Sequence, residues 1–222
     1  MSGQLNLDLA ARTWGGKRAG AGRPRREKQH DSPHVKRPRH AARHPLHVVW
    51  RTVVGAPCLR TPTCYAAIRD ALATPRDDFR IAHISIQANH LHLIVEARDA
   101  VALASGMRAV GVSLAREINR ASGRTGKLFA YRYHATAITS PRQMFNTLAY
   151  VLNNWRKHRE DRGSSAYLDR YSSAIAFDGW EIVFAIPVGY EPLPVRCATT
   201  WLLQSGWRRY GSIHSHLCPK AT

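Results

Sequence analysis

The stretch Gln87-Ala88-Asn89-His90-Leu91-His92-Leu93-Ile94-Val95-Glu96 constrains the fold of this chain more than any other segment. Side chains alternate between faces along a strand, so a β-strand here sets His90 and His92 on one face and Leu91 and Leu93 on the other. Two imidazoles spaced in this way are half of a metal site. Neutral imidazole serves Mn²⁺, Zn²⁺ and other divalent ions, suits Mg²⁺ poorly as a lone ligand, and needs a third ligand and an oxygen from substrate to complete the site. The same spacing also fits one packed and one exposed histidine with no ligand role.

A second stretch, Leu148-Ala149-Tyr150-Val151-Leu152-Asn153-Asn154-Trp155-Arg156-Lys157-His158, has the period of a helix. Phe145, Leu148, Leu152 and Trp155 fall on an apolar stripe, which leaves Tyr150, Asn154 and His158 four apart along another stripe. If that stripe faces His90 and His92, two imidazoles, a side-chain carbonyl and a phenol converge, a set suited to attack on a metal-polarised phosphate. The other arrangement open to it packs Tyr150 in the core with its hydroxyl satisfied and leaves Asn154 in solvent.

Charge points to a polyanionic partner. The 222 residues carry 33 Lys and Arg against 15 Asp and Glu, a formal charge of +18; such a field attracts nucleic acid and predicts salt-sensitive binding. Residues 12–43 hold eleven of the basic residues against Glu27 and Asp31 alone, with little to bury, and residues 1–44 are read as a disordered basic arm. Within it Gly22-Arg23-Pro24-Arg25, followed by Arg26, is similar to part of an AT-hook, whose arginines lie in a narrow minor groove. A solvated tail with generic phosphate affinity accounts for the same residues. His30, His34, His40, His44 and His47 lack metal spacing and are read as solvated. No run of eighteen apolar residues occurs and the amino terminus is polar and Gly-rich, so a soluble cytoplasmic protein with no membrane partner is expected. Cys58, Cys64, Cys197 and Cys218 show no Cys-x-x-Cys spacing and are read as reduced structural thiols.

The order of elements follows from the patterning. A strand is predicted around His47–Val53, a helix over Tyr65–Leu72 ended by Pro75, and a strand over Arg80–Ile86, with Asn89 turning the chain into the His-bearing strand. Leu103, Met107, Val110, Leu114 and Ile118 mark an amphipathic helix whose other face carries Arg108, Arg116 and Arg120, the last two being candidate DNA contacts. Residues 128–139 supply a fourth strand around Arg132 and His134, and Pro141 opens the tyrosine-bearing helix. This order predicts an α+β, ferredoxin-like fold over residues 45–160: a four-stranded antiparallel sheet with the first two helices on one face, joined by the tyrosine-bearing helix. Residues 161–222 form a C-terminal extension. In it Trp201 to Tyr210 reads either as a base-stacking helix or as a packing helix with Trp201 and Trp207 buried.

Three of these motifs, Asn89-His90-Leu91-His92-Leu93, Tyr131-Arg132-Tyr133-His134 and Ala149-Tyr150-Val151-Leu152-Asn153-Asn154, occur in the order found in the REP-associated tyrosine transposases. The chain resembles that family, part of the single-tyrosine HUH transposases, over residues 40 to 160. The flanking Gly15–Pro24, Ser172-Ser173 and Phe177–Trp180 also look familiar. The resemblance implies a metal-dependent endonuclease and strand transferase acting on single-stranded DNA or hairpin-forming repeats. It implies Tyr150 as nucleophile, His90 and His92 as ligands of Mg²⁺ or Mn²⁺, Asn154 as candidate third ligand, and a 5′-phosphotyrosine intermediate. Arg132 and His134 become candidates for holding phosphate. A bacterial, nucleoid-associated monomer or homodimer would fit. The chain departs from the family in two places. Tyr131 stands where close relatives often have an acid, and Trp155 follows Asn154 where many relatives continue with Pro-Val. The first departure admits a second reading, a hairpin-binding protein derived from a transposase with weakened catalysis.

Overall fold

The computed structural model describes residues 40–74, 76–158, 160 and 168–219. Seven elements build the frame: β1 Leu46–Arg51, α1 Pro62–Leu72, β2 Phe79–Ile86, β3 His90–Ala97, α2 Ala100–Ala121, β4 His134–Ala137 and α3 Pro141–Lys157. The three helices start where local chemistry directs them to. Thr61 caps α1 by accepting from the Cys64 N–H, Asp99 caps α2 by accepting from Val101 and Ala102, and Ser140 caps α3 by accepting from Gln143. Pro62 and Pro141 occupy first-turn positions, where a missing N–H costs nothing.

The four strands pair antiparallel in the order β2-β3-β1-β4, so the His-bearing strand and β1 are central. This is the predicted ferredoxin-like arrangement. Alternation sorts the sheet into two faces. Val48, Trp50, Ile84, Leu91, Leu93 and Val95 pack against α1 and α2. Ala82 and Ile94 pack against α3 on the opposite face. The helix α2 lies very close to the first layer: a methyl group added at Gly106 would stand 2.2 Å from the Phe79 ring, so only glycine fits.

The second layer is shared between α3 and the C-terminal residues. Ala174, Phe177, Leu202, Leu203, Trp207 and Ile213 are buried in the same cluster as α3. Polar clamps fix them there. The buried carboxylate of Glu96 accepts from the N–H and hydroxyl of both Thr199 and Thr200, which precede a short helix, α4 Trp201–Gln204. Asn153 donates to the carbonyls of His214 and Leu217. Asp169 takes a bidentate pair of bonds from Arg60, at 2.8 and 2.9 Å. Arg60 in turn donates to the Ile86 carbonyl at the end of β2.

Several expectations change. The fourth strand, predicted over 128–139, is confined to His134–Ala137, with a separate bridge between Thr52 and Phe129. The interruption has a tertiary cause. Phe129 stacks on Trp50 at 3.8 Å, and the Trp50 indole N–H donates to the Tyr131 carbonyl, which diverts that carbonyl from the sheet. Helix α1 starts at Pro62, three residues before the expected Tyr65, and ends at Leu72 as expected with Ala73 as its cap; Pro75 lies outside the described residues. In the C-terminal pair Trp207 is buried as a packing residue, whereas Trp201 is half exposed under the Arg209 guanidinium. All four cysteines are free, and only Cys64 is buried. The basic arm as far as residue 39, with Arg23, Arg25 and Arg26, and with His30 and His34, lies outside the described residues. Among the described residues no helix is long and apolar enough to cross a membrane.

Candidate active site

The alternation of β3 and the period of α3 meet face to face. The Tyr150 ring stands 5.4 Å from the His92 ring, nearly perpendicular to it, and two turns further on His158 stands 5.3 Å from His90. The stripe Tyr150, Asn154, His158 therefore lies along His92 and His90, with Asn154 between its two anchors. Asn154 is 1% exposed, and neither its carbonyl oxygen nor its amide nitrogen has a partner among the described residues. Buried amides are nearly always hydrogen-bonded, so a water or a ligand would supply the missing partner here. Its neighbour Asn153 faces the other way and is satisfied by the C-terminal carbonyls.

The two histidines present their Nε2 atoms to each other at 3.0 Å. His90 Nδ1 is 2.8 Å from the Asn89 side-chain oxygen, which can only accept, so His90 carries its proton on Nδ1 and a lone pair on Nε2. Burial lowers the pKa of His90 to about 4, with repulsion from His158 and Arg51 adding to it, and that of His92 to about 2, with His47 and His90 adding. Both are neutral at pH 7, the form in which imidazole ligates metal. Among the described residues no three His, Cys, Asp or Glu are grouped to hold an ion, and the Asn154 carbonyl is the further side-chain oxygen on the stripe that faces the two imidazoles. Two neutral imidazoles and an unpartnered amide oxygen fit a divalent ion.

His47 is a functional candidate that the sequence reading missed. Far from being solvated, it is 8% exposed, its Nε2 lies 3.0 Å from His92 Nδ1, its ring stacks on His92 at 5.3 Å, and it meets the Tyr150 ring edge-on at 5.9 Å. Burial, then His134, lowers its pKa to about 4. The signal was present in β1, where the apolar Val48 and Trp50 assign His47 to the opposite face. Arg51 was also missed. It pairs in register with His90, which places it on the same face, and its side chain is exposed.

The remaining candidates divide. His134 sits in one cross-strand row with Val49 and His92, two strands from the latter, and is exposed. Arg132 precedes β4 and is exposed. Arg116 and Arg120 are exposed on α2, across the sheet from Tyr150, and both bind Glu117; the structure does not bring them to the site. Burial raises the Tyr150 pKa, which keeps the phenol neutral, while the Lys157 ammonium stands 5.1 Å from the centre of its ring. Helix α3 covers β2 and β3 and leaves β1 and β4 partly open, so the site borders an accessible strip containing Arg51 and His134.

Residues 41–154 match the family described as "Transposase IS200 like". The structure of a REP-associated tyrosine transposase bound to a REP hairpin is similar over 74% of this chain and 98% of that one, with a TM-score of 0.54 and 18% sequence identity, a likeness of fold. A candidate transposase from Deinococcus radiodurans R1 aligns over 55% of this chain and 92% of that one at 15% identity, and its TM-score of 0.37 supports no argument. No curated protein matches the sequence.

Proposed function

The chain belongs to the IS200-like transposase family, and from that premise we propose that it is a metal-dependent strand transferase for single-stranded DNA at hairpin-forming repeats. The observation that carries the reading is the docking of Tyr150, with the orphaned Asn154 one turn on, against His92 and His90. DNA as partner is supported by the charge of +18 and by the REP hairpin bound in the structure of similar fold. Bases in a single strand or at a hairpin foot are reachable by stacking and edge contacts that a duplex denies.

In this reading His90, His92 and Asn154 hold a divalent ion, Mg²⁺ or Mn²⁺, which when bound polarises the scissile phosphate and offsets the charge that develops on it. Tyr150 attacks phosphorus from the opposite side to the leaving oxygen. The bond from its phenolic oxygen to phosphorus forms as the phenol proton passes to water, and the bond from phosphorus to the 3′ oxygen breaks as that oxygen gains a proton. One fragment leaves with a free 3′-hydroxyl and the other stays attached by a 5′-phosphotyrosine. The linkage conserves the phosphodiester, so a 3′-hydroxyl can reverse the attack without ATP. A neutral phenol is a weak nucleophile and burial holds the Tyr150 pKa above its ordinary value, so activation has to come from the field of the bound ion, a basic neighbour or water. In the same reading Arg51, Arg132 and His134, exposed on or next to the open strip, would hold the phosphates beside the cut.

The test is a labelled single-stranded hairpin mixed with the protein and Mn²⁺. A covalent adduct that survives boiling in detergent is expected, and Tyr150→Phe should abolish it while hairpin affinity stays within about threefold, because only the nucleophile is lost. An adduct of normal yield in that variant would remove Tyr150 from the mechanism. Hairpin binding by the wild-type protein without any adduct would instead support a binding protein that has lost transfer.

A further inference from the structure

We propose that His47 is a positioning residue of this site: it accepts the Nδ1–H of His92 and thereby turns the His92 Nε2 lone pair toward that of His90. The inference rests on the reading of His90 and His92 as metal ligands. It comes from counting protons along a chain of three buried imidazoles. His90 is settled, since the Asn89 oxygen holds its proton on Nδ1. His92 lies between two imidazole nitrogens, His90 Nε2 and His47 Nε2, each at 3.0 Å. One neutral arrangement satisfies both contacts without an ion: His47 Nε2–H donates to His92 Nδ1, and His92 Nε2–H donates to His90 Nε2.

An ion shared by His90 and His92 requires both Nε2 atoms to be bare. The His92 proton then has to sit on Nδ1, and His47 Nε2 has to accept it, with the His47 proton moved to its own Nδ1. Loading the site therefore reverses the tautomer of both residues. Neutral imidazole can donate in one state and accept in the other, whereas a lysine could only donate and a carboxylate could only accept. The position is rigid enough for the task. His47 lies on the central strand β1, paired with Ile94 on one side and Thr136 on the other. Its ring is stacked on His92 and blocked at its edge by Tyr150. Because His47 touches both the ligand and the Tyr150 ring, a shift of its ring would disturb the two together.

The test compares His47→Leu, which removes the hydrogen bond and keeps apolar bulk, with His47→Gln, whose amide can donate or accept at a similar reach. Mn²⁺ affinity is measured by titration calorimetry on the full-length protein without DNA, after thermal melts in chelator show that each variant is folded. His47→Leu should weaken Mn²⁺ by about 10- to 100-fold, the usual effect of losing a partner that orients a ligating histidine, and His47→Gln should remain within about threefold of wild type. Nitrogen-15 spectra of labelled histidines provide a second readout: on saturation with Zn²⁺, His47 Nε2 should change from the protonated to the unprotonated type. Wild-type Mn²⁺ affinity in the leucine variant, equal losses in both variants, or a His47 Nε2 that stays protonated with Zn²⁺ bound would each overturn the proposal. Failure is separable from failure of the metal site itself, in which wild-type protein would bind no Mn²⁺ or His90→Ala would bind it normally.

Discussion

Asn154→Leu should make the metal-free protein more stable and its hold on a divalent ion weaker. Asn154 is 1% exposed and both its side-chain polar atoms lack partners among the described residues. A buried polar atom without a hydrogen bond costs about 1–3 kcal/mol. Leucine has nearly the same size and branching and carries no such cost. Water reaching the site from the open strip beside Arg51 and His134 offsets part of the penalty, so a net gain of about 1–2 kcal/mol is expected. For a chain of this size each kcal/mol moves the melting temperature by about 2–4 °C, which gives a rise of about 2–8 °C. Scanning calorimetry in excess chelator measures it. With saturating Mn²⁺ the order should narrow or reverse, because an ion that binds only the folded state stabilises in proportion to the logarithm of its affinity. The loss of Mn²⁺ affinity should be smaller than in His90→Ala or His92→Ala, since water can replace a neutral carbonyl ligand. A lower melting temperature in chelator would show that Asn154 holds the helix through partners of its own. Unchanged Mn²⁺ affinity would show that it is no ligand.

Acid should unfold the metal-free protein early. His47 and His92 are held at about 4 and about 2 in the folded state against an ordinary value of 6.5, so the unfolded chain binds more protons below about pH 6.5. Their contribution is complete above that value and is lost as the pH falls toward the folded values. Melting temperatures should thus decline steadily from about pH 7 to about pH 5, and a flat profile would contradict two buried neutral imidazoles. Asp169→Ala should be among the most damaging substitutions outside the site. It leaves Arg60, whose side chain is 11% exposed, without its bidentate partner and loosens the contact between the C-terminal segment and the end of β2. A loss of about 3–5 kcal/mol in urea unfolding is expected, and one below about 1 kcal/mol would show that Glu160 alone compensates the guanidinium.

Much of the frame was legible in the one-dimensional pattern because local periods carry it. The alternation from His90 to Val95 assigned the two histidines to one face before any partner was known. The fourfold spacing of Tyr150, Asn154 and His158 placed a phenol, an amide and an imidazole on one stripe in the same way. The caps at Thr61, Asp99 and Ser140, seen only in the structure, are likewise chemistry between residues two or three apart. These features depend only on near neighbours, so the amino-acid sequence alone determines them.

A period says which residues share a face and is silent on what that face will meet. Nothing local to α3 fixed which of its stripes would meet the sheet; its apolar stripe of Leu148 and Leu152 is buried in one cluster with Trp207, Leu203 and Phe177, supplied from far along the chain, while Tyr150 docks on His92. His47 was misread for the same reason. It follows a basic arm and sits in a run of scattered histidines, and only the pairing of β1 beside β3 places its ring against His92. Arg51 needed that register as well, since it meets His90 only through a pairing of residues 39 positions apart. The shortened β4 is the converse case. Residues 128–139 have strand character, yet the Trp50 indole, which packs on Phe129 and donates to the Tyr131 carbonyl, breaks the ladder between them. In each instance local propensity supplied the faces, and contacts between distant segments decided which faces came together to make a site.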